Sequence, residues 1–341
     1  MHNYLLYIAA FAVAFGVSLY TTPYSKKLSR KLGAIDYPKA RGMHREPIPR
    51  MGGFAIIAGF MATMLILIPF IQEFRTPQFV GFIVGALIIA LLGMFDDMYS
   101  LDAKLKFSIQ ILAALIAVYS GTRINTSFIP FYTYLKEFEI PLTIVWIVGL
   151  TNAVNLIDGL DGLAAGVSSI GALCLMALCF LSGSETAVVF TAALAGSCLG
   201  FLPRNFNPAE VIMGDTGATF LGYVLAVSSI IGVFKYYALL SLILAVMVLA
   251  LPILDTAFAM LRRALSGKPI MTADRGHLHH RLIDAGLSPK QAVVILYILS
   301  ATTGIIAIFI AIRDLRAILI VLASIGVLAL MLLIYRRRFD K

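Results

Sequence analysis

Apolar residues occupy long, almost uninterrupted runs along most of the chain, and short polar segments separate these runs. A helix needs about 20 mainly apolar residues to cross about 30 Å of hydrocarbon. Eleven runs come near that length and are predicted to be transmembrane helices, at about 3–22, 52–71, 78–95, 106–120, 140–157, 162–182, 186–203, 215–233, 237–261, 291–311 and 315–335. Because apolar and polar residues do not alternate, a transmembrane β-barrel is disfavoured. The pattern predicts an all-α polytopic membrane protein, with residues 1–341 as a single integral membrane domain.

Two segments depart from straight spans. Pro252 lies inside the ninth run and predicts a kink or break, because proline removes a helical hydrogen bond. The outer segment 121–139 alternates in the manner of a strand around Phe128, Phe131 and Tyr132. A small outer β-hairpin can therefore form in that segment.

Composition and charge exclude other classes of protein. Hydrophobic residues make up 60% of the 341 residues and charged residues only 13%, whereas soluble domains have about 25% charged residues. Of the 27 Lys and Arg residues, 21 follow an odd-numbered run, the C-terminal tail included. Because cytoplasmic segments are rich in these residues, the N-terminus is predicted outside and the C-terminus in the cytoplasm. The formal charge of +9 then reflects topology and anionic lipid, not nucleic acid.

Six aspartates lie in or at the ends of apolar runs, where ionisable groups are costly and usually functional. They are Asp96, Asp97, Asp158, Asp161, Asp215 and Asp255. The predicted topology puts all six near the cytoplasmic ends of their runs. A solvated helix end explains any one of them alone, but crowded carboxylates need cations, protons or a metal. The set predicts an acidic site at the cytoplasmic side.

Two motifs carry most of these acids. NAVNLIDGLDG repeats an oxygen-bearing side chain every third residue, at Asn152, Asn155, Asp158 and Asp161, roughly along one helix face. Such oxygens suit Mg²⁺, and polar helix capping is the alternative. MGDTGAT puts Asp215 at a predicted helix start, where it is either an ordinary N-cap or a metal ligand beside a phosphate.

Basic side chains accompany the acids in three short segments. They are His44, Arg45 and Arg50; Lys104 and Lys106; and Arg275, His277, His279, His280 and Arg281. Zinc is disfavoured for the histidines, because no cysteine and no close carboxylate other than Asp274 accompanies them. Arginine and histidine donors suit a phosphate or a sugar hydroxyl better, and solvated basic loops are the alternative. Acids, Mg²⁺ and these donors together indicate a pyrophosphate compound that arrives from the cytosol.

Six motifs follow one another in a specific order: HREPIPRMGG, DDMYSLDAKLKF, NAVNLIDGLDGLAAG, FNPAEVIMGDTGATFLG, PILDT and HLHHRL. With them the chain resembles the polyprenyl-phosphate N-acetylhexosamine-1-phosphate transferases over essentially its whole length. It is more similar to the bacterial undecaprenyl-phosphate GlcNAc-1-phosphate transferases than to the phospho-MurNAc-pentapeptide transferase branch. That branch usually has three consecutive histidines in the late loop, and here Leu278 interrupts them.

The resemblance implies a reaction and its partners. Undecaprenyl phosphate attacks UDP-GlcNAc at the sugar-bearing phosphorus, UMP leaves, and undecaprenyl-pyrophosphoryl-GlcNAc stays in the bilayer. This is the first lipid-linked step of a cell-envelope polymer such as teichoic acid or lipopolysaccharide O-antigen. The resemblance also implies Mg²⁺, with Mn²⁺ as a substitute, a bacterial plasma-membrane location with the site facing the cytoplasm, and no nucleic acid; a homodimer is left open.

The resemblance further implies a role for each motif position. Asp215 is a direct Mg²⁺ ligand, and Asn155 is the candidate second ligand. The implied catalytic residues are Asp96, Asp97, Asp158 and Asp215. The implied substrate-binding residues are Arg50, Lys106, Asn152, Asp161, His277, His279, His280 and Arg281. Some relatives carry a uracil-stacking aromatic where this chain has Ile212, so that role is not carried over.

Elementary chemistry limits what Asp97 has to do. A phosphate monoester has a second pKa near 6 and is mostly dianionic at neutral pH, so a general base contributes little. We therefore hypothesise that Asp97 mainly orients the nucleophile or organises metal and lysine, in a single displacement rather than through an aspartyl-phosphate. The break at Pro252, near Asp255, is predicted to open a hydrophobic groove for the lipid tail.

Two rivals come from other classes of protein. A proton-coupled transporter would use the acids as a relay, but transporters tend to place such groups near the midplane and to show repeats. Here the acids lie at one predicted face and no convincing repeat is found. A non-catalytic scaffold for envelope assembly would gain nothing from so many costly polar groups.

Overall fold

The computed structural model describes residues 4–37, 46–125, 136–233, 238–265, 277–314 and 316. Within these ranges the chain is mostly helical. Its α-helices are α1 (Tyr4–Leu32), α2 (Gly53–Leu67), α3 (Pro77–Tyr99), α4 (Ala103–Tyr119), α5 (Glu139–Ile157), α6 (Leu163–Leu181), α7 (Glu185–Asn205), α8 (Gly214–Gly232), α9 (Ala238–Val248), α10 (Ala250–Leu265), α11 (Leu278–Asp284) and α12 (Pro289–Ala311). Short 3₁₀ turns cover Gln72–Arg75 and Lys136–Phe138.

Seven of the described helices are long and apolar enough to cross a membrane: α1, α3, α5, α6, α7, α8 and α12. Ten of the eleven predicted runs correspond to described helices, and the run 315–335 lies outside the described residues except at 316. The helical membrane fold is therefore confirmed in its coarse form, while the count of eleven spans stays a prediction. Helix α1 continues to Leu32, about ten residues past its apolar run. Its last turns expose Lys27, Arg30 and Lys31 and bury Ser29.

The predicted break in the ninth run is confirmed. Helix α9 ends at Val248 and α10 begins at Ala250. Pro252 has no N–H to donate to the Val248 carbonyl four residues earlier, so the regular ladder cannot pass this point. The outer hairpin predicted in 121–139 falls mostly on residues 126–135, which lie outside the described residues.

A small element that the pattern did not predict follows α1. Strands β1 (Ile35–Asp36) and β2 (Ile48–Pro49) pair antiparallel, with Ile35 opposite Pro49. Each has only two residues, too few for any periodicity. The pairing brings the chain back to the end of α1 and places Arg50 directly after β2.

Helix α8 occupies the centre of the bundle and packs against α2, α3, α5, α6 and α7. Nearly all of its side chains are buried. Its first turn comes so close to α2 and α3 that a Cβ at Gly53 would overlap Gly217, and one at Gly93 would overlap the backbone of Asp215 and Thr216. The ends of α3, α5 and α7 and the starts of α4, α6 and α8 meet at one end of the bundle, where the acidic and basic motifs lie.

Candidate active site

Asp97, in the last turn of α3, is the most fully bonded of the predicted catalytic acids. Its Oδ1 accepts the Asp215 N–H at 2.9 Å and contacts the Arg50 Nε at 2.9 Å. Its Oδ2 accepts the N–H and the hydroxyl of Thr216, at 2.9 and 2.6 Å. The carboxylate is fully buried. Asp97 therefore caps the start of α8 and holds Arg50 in place.

Gly214 makes this close approach possible. It has a φ of +70°, a conformation that favours glycine. A Cβ at this position would also overlap the Arg50 carbonyl and the Asp97 carboxylate. A side chain at Gly214 would therefore separate α8 from the Asp97 side chain that caps it.

Asp215 lies between two cations that come from different parts of the chain. Its Oδ1 is 3.3 Å from an Arg50 Nη2, and its Oδ2 is 3.3 Å from the Lys106 Nζ. Each cation is closer to a carboxylate of α3: Arg50 lies 2.9 Å from Asp97, and Lys106 lies 2.8 Å from Asp96. The α3 pair therefore holds the cations more tightly than Asp215 does. We call Arg50, Asp96, Asp97, Lys106 and Asp215 the Asp215 cluster.

Further contacts support the cluster. The second oxygen of Asp96 accepts the N–H of Leu101 at 2.8 Å, which fixes the turn into α4. Burial disfavours the charged form of Arg50, but the carboxylates of Asp97 and Asp215 outweigh this and raise its pKa. Arg50 is itself anchored by Ser29 of α1, whose buried hydroxyl oxygen accepts its backbone N–H at 2.9 Å.

Asp158 follows the last turn of α5 and lies within the electrostatic field of this cluster. Burial, followed by the carboxylates of Asp215 and Asp97, raises its pKa to about 8. Asp158 is therefore mostly protonated near neutral pH when no further positive charge is present. Asn155 lies one turn earlier, and its carbonyl accepts the Asp158 N–H at 3.3 Å.

Asp161 organises the segment that leads into α8. Its Oδ2 accepts the side-chain amide of Asn207 at 3.0 Å and the N–H of Ala209 at 3.1 Å. Asn205 supports the same segment by accepting the Gly162 N–H at 3.1 Å and donating to the Val211 carbonyl at 3.1 Å. Side chains thus bond the NAVNLIDGLDG motif to residues 205–211, which lead into the MGDTG motif.

Asn152 lies deeper, between α4 and α5. Its amide donates to the Gln110 Oε1 at 2.6 Å and to the Val148 carbonyl at 2.8 Å. The side-chain amide of Gln110 in turn donates a longer hydrogen bond, of 3.4 Å, to the Asn152 Oδ1. These bonds give Asn152 a part in joining two helices, and its predicted contact with substrate stays a prediction.

The histidine motif forms a second group, which we call the histidine cluster (His277, His279 and His280). The His277 Nδ1 lies 2.9 Å from the Asp255 Oδ2. The ring of His279 is nearly parallel to that of His277 at 5.8 Å and lies 4.2 Å from that of His280. Arg281 is exposed on α11.

His279 is buried and neutral. Burial, with smaller effects from His280 and His277, lowers its pKa to about 4. Its side chain has 3% residual exposure, and its Nε2 has no hydrogen-bond partner among the described residues. That atom abuts Gly159, since a Cβ on this glycine would overlap it.

The two clusters meet at the turn 158–162. Asp158 interacts with the Asp215 cluster, and the next residue, Gly159, contacts His279. Tyr297 of α12 donates its hydroxyl to the Gly162 carbonyl at the other end of the turn. The structure therefore brings most of the predicted site residues to one end of the bundle, while His44, Arg45, Asp274 and Arg275 lie outside the described residues.

Sequence reasoning missed five residues that build this site: Ser29, Gln110, Asn205, Thr216 and Tyr297. Four of them are uncharged residues within helical or apolar stretches, and nothing in their spacing singles them out. Thr216 had a weak signal, because it follows Asp215 at a predicted helix start. None of the five has a charge whose burial would have drawn notice.

The carboxylate and amide oxygens of the site suit a Mg²⁺ ion that is bound partly by substrate, rather than a metal held entirely by protein side chains. Within the described ranges, no three His, Cys, Asp or Glu side chains are grouped so that they could hold a metal ion. Mg²⁺ commonly takes one or two carboxylates and completes its shell with substrate phosphates and water. Asp215, with its two 3.3 Å contacts, is the carboxylate best placed to exchange a cation for such an ion.

Comparison with known proteins identifies the family to which the chain belongs. The family model described as glycosyl transferase family 4 matches residues 79–233, a range that contains three of the six motifs. A relative from Bacillus subtilis (strain 168) is 42% identical over 307 residues, covering 88% of this chain and 84% of its own. The chain belongs to glycosyl transferase family 4, and the family predicted from its motifs is confirmed.

The names of three relatives each combine a prenyl phosphate with N-acetylglucosamine. The Bacillus subtilis protein is named "Probable undecaprenyl-phosphate N-acetylglucosaminyl 1-phosphate transferase". A decaprenyl-phosphate N-acetylglucosaminephosphotransferase of Mycolicibacterium smegmatis is 36% identical over 322 residues, covering 85% of this chain and 78% of its own. An undecaprenyl-phosphate alpha-N-acetylglucosaminyl 1-phosphate transferase of Yersinia pestis is 28% identical over 321 residues, covering 90% and 84%.

Proposed function

We propose that this protein transfers GlcNAc-1-phosphate from UDP-GlcNAc to undecaprenyl phosphate, giving undecaprenyl-pyrophosphoryl-GlcNAc and UMP. The names of its relatives support the acceptor and the sugar. The observation that carries the proposal is the arrangement of Asp215 between Arg50 and Lys106. An acid with two cations at the end of a membrane bundle suits a substrate with several phosphate charges.

The cations are arranged to receive a diphosphate without losing their support. Arg50 and Lys106 each keep a contact of 2.8–2.9 Å with an α3 carboxylate. Their longer contacts with Asp215 can be replaced by phosphate oxygens. Because Asp96 and Asp97 stay bonded, the cations keep their positions while they bind the donor.

Asp215 is the residue that would hold Mg²⁺, with Asp158 and Asn155 on the neighbouring turn as the other candidate oxygen donors. Bound there with phosphate oxygens, the ion would offset the negative charge of the diphosphate and of the leaving UMP. Mn²⁺ has the same ligand preference and is expected to substitute. The raised pKa of Asp158 agrees with a site that carries too much negative charge on its own.

The acceptor needs orientation more than deprotonation. Both oxygens of Asp97 are occupied by bonds to Thr216, Asp215 and Arg50, so this carboxylate is not free to take a proton from a substrate. We assign Asp97 a positioning role. Asp96 keeps one oxygen on Lys106, and this pair faces the same space as Asp215.

The membrane arrangement is part of the proposal. Eleven spans, an outer N-terminus and a cytoplasmic site agree with the charge bias and with the position of the described motif residues at one bundle end. Helix α10 exposes Leu254, Phe258 and Leu261 beside Asp255, which supports a groove for the prenyl tail. The histidine cluster is assigned to the sugar phosphate. A role in teichoic acid or O-antigen synthesis and a homodimer stay predictions.

An assay of the purified protein tests the function. Undecaprenyl phosphate is supplied with UDP-GlcNAc, UDP-GalNAc or UDP-glucose, with and without Mg²⁺, and UMP and lipid product are measured. We expect product with UDP-GlcNAc and Mg²⁺, and none from Asp215→Ala. Uptake of solute by sealed vesicles without any UMP would instead favour a transporter.

The metal assignment has a readout besides activity. Mg²⁺ is expected to raise the melting temperature of the wild type in detergent, because it binds the folded state. Asp215→Asn should lose most of this increase. Asp284→Asn, which changes an exposed carboxylate on α11, should keep it.

A further inference from the structure

Asp255 is a buried carboxylate to which the proposed reaction gives no task in catalysis. It lies in α10, and its side chain is 8% exposed. Its Oδ2 is 2.9 Å from the Nδ1 of His277, and its Oδ1 accepts the Leu278 N–H at 2.8 Å. One carboxylate therefore holds both the ring of His277 and the first backbone N–H of α11.

These two bonds decide which nitrogen of His277 carries its proton. An ionised carboxylate only accepts hydrogen bonds, so the Nδ1 of His277 must donate. In a neutral imidazole the Nε2 is then the acceptor, and its lone pair is directed away from Asp255. Carboxylate partners that fix a histidine in this way are typical of sites in which the other ring nitrogen works.

The same carboxylate also sets the position of His279. The bond to the Leu278 N–H orients the start of α11, and His279 is the next residue. Its buried Nε2 has no partner among the described residues and lies against Gly159, beside Asp158. The rings of His277 and His279 are nearly parallel, with an angle of 8° between their planes. Any rotation of α11 would therefore move both rings relative to the Asp215 cluster.

We propose that Asp255 is a positioning residue for the donor site: it fixes His277 as the Nδ1–H tautomer and orients α11, so that the histidine cluster meets the nucleotide sugar in one geometry. This inference rests on the proposed function, since it concerns how that donor is held. Asp255 acts through His277 and does not touch the reacting atoms.

The decisive variant is Asp255→Asn, which changes the hydrogen bond but little of the shape. The asparagine oxygen can still accept the Leu278 N–H, but its NH₂ group then faces Nδ1 and forces the opposite tautomer. We expect kcat/KM for UDP-GlcNAc to fall about 10- to 100-fold, as for other residues that orient a functional histidine. The KM for undecaprenyl phosphate should stay within about twofold, because the substitution leaves the exposed apolar side chains Leu254, Phe258 and Leu261 of α10 unchanged.

A double variant separates a tautomer effect from a merely structural one. If Asp255 works through His277, then adding Asp255→Asn to His277→Ala should cost no further activity. Asp284→Asn, which changes an exposed carboxylate at the end of α11, serves as the control and should retain wild-type kinetics. The melting temperature of each variant is measured, so that a misfolded protein is recognised before its rate is interpreted.

Two outcomes overturn the inference. One is wild-type kinetics in Asp255→Asn, and the other is a double variant whose losses multiply as for independent sites. Failure of the proposed function is distinct from both, because it would appear as a wild-type protein that forms no UMP from UDP-GlcNAc and undecaprenyl phosphate.

Discussion

Asp97 accepts hydrogen bonds from both the backbone N–H and the side-chain hydroxyl of Thr216, across 119 residues of sequence. With the bonds from Asp215 and Arg50, four donors converge on one buried carboxylate. A carboxylate has about four lone-pair sites, so the four donors occupy its whole capacity to accept hydrogen bonds. Asp97 is thus the residue that joins α3, α8 and the loop after β2 at the site.

Asp97→Asn tests the positioning role against a general-base role. An asparagine has one acceptor oxygen and cannot serve all four donors, so the start of α8 and Arg50 should both shift. We expect kcat to fall by about 100-fold or more. The activity is measured from pH 6.5 to pH 9.5, and we expect no recovery at the alkaline end.

Full recovery at high pH would restore the base role for Asp97. Asp102→Asn is the control for charge in the same region. Asp102 caps α4 by accepting the Lys104 N–H at 3.0 Å, and asparagine caps a helix about as well. This variant should therefore keep nearly all activity.

Thr216→Val should impair the enzyme although the residue has no charge. The change keeps the shape of the side chain but removes the donor of the 2.6 Å bond to Asp97. Loss of a buried partner costs about 1–3 kcal/mol, and we expect kcat/KM to fall about tenfold or more as α8 shifts. The measurement is steady-state kinetics with both substrates.

Thr191→Val provides the matched comparison. Thr191 is equally buried in α7, and among the described residues its hydroxyl donates within its own helix, to the carbonyls of Ala187 and Val188 at 2.7 and 3.1 Å. We expect a small change in melting temperature and an unchanged kcat/KM. Equal kinetic losses in the two threonine variants would show that the Asp97–Thr216 bond has no special part in activity.

Gly159→Ala is expected to disturb the donor site selectively. The added Cβ would overlap the Nε2 of His279, so α11 must move or the turn must open. We expect the KM for UDP-GlcNAc to rise about tenfold or more, with little change in binding of undecaprenyl phosphate. His279→Ala should give the same pattern, weakening use of the nucleotide sugar more than binding of the lipid.

Gly149→Ala, in the middle of α5, is the control for the glycine substitution. An added Cβ there meets no atom within 4 Å. Alanine should stabilise the helix slightly and leave both KM values unchanged. A normal KM for UDP-GlcNAc in Gly159→Ala would show that the contact between the turn and the histidine cluster does not contribute to binding of the donor.

The sequence predicted the members of the site better than their pairings. Charged residues in apolar runs stand out because burying them is costly, and this identified Asp96, Asp97 and Asp215. Which acid contacts which cation depends on how α3, α4 and α8 pack. Only the fold brings Arg50 and Lys106 to the two sides of Asp215.

The fold was predictable to a similar extent. Long apolar runs located the helices, and Pro252 located the break between α9 and α10. The strands β1 and β2 could not be predicted, because two-residue strands have no period and depend on the bonds of Ser29 to the returning chain. The crossing of α8 with α2 and α3 also depends on glycines whose effect appears only at close contact.

His279 should make the stability of the protein depend on pH. Its pKa is lowered to about 4 in the folded protein, whereas an unfolded histidine titrates near 6.5. Between these values the unfolded chain binds more protons, so the free energy of unfolding falls as the pH decreases from 6.5 towards 4. The loss approaches about 3 kcal/mol at pH 4 and is absent above pH 7.

Comparison with His279→Gln isolates this effect from other titrating groups. Glutamine stays neutral, so the melting temperature of the variant should fall less than that of the wild type between pH 7 and pH 4.5. Because His279 is already neutral throughout pH 5.5 to 8, its own titration should leave no inflection in the rate across that interval. A wild-type inflection near pH 6.5 that disappears in His279→Gln would mean that His279 titrates as an exposed histidine, contrary to its burial against Gly159.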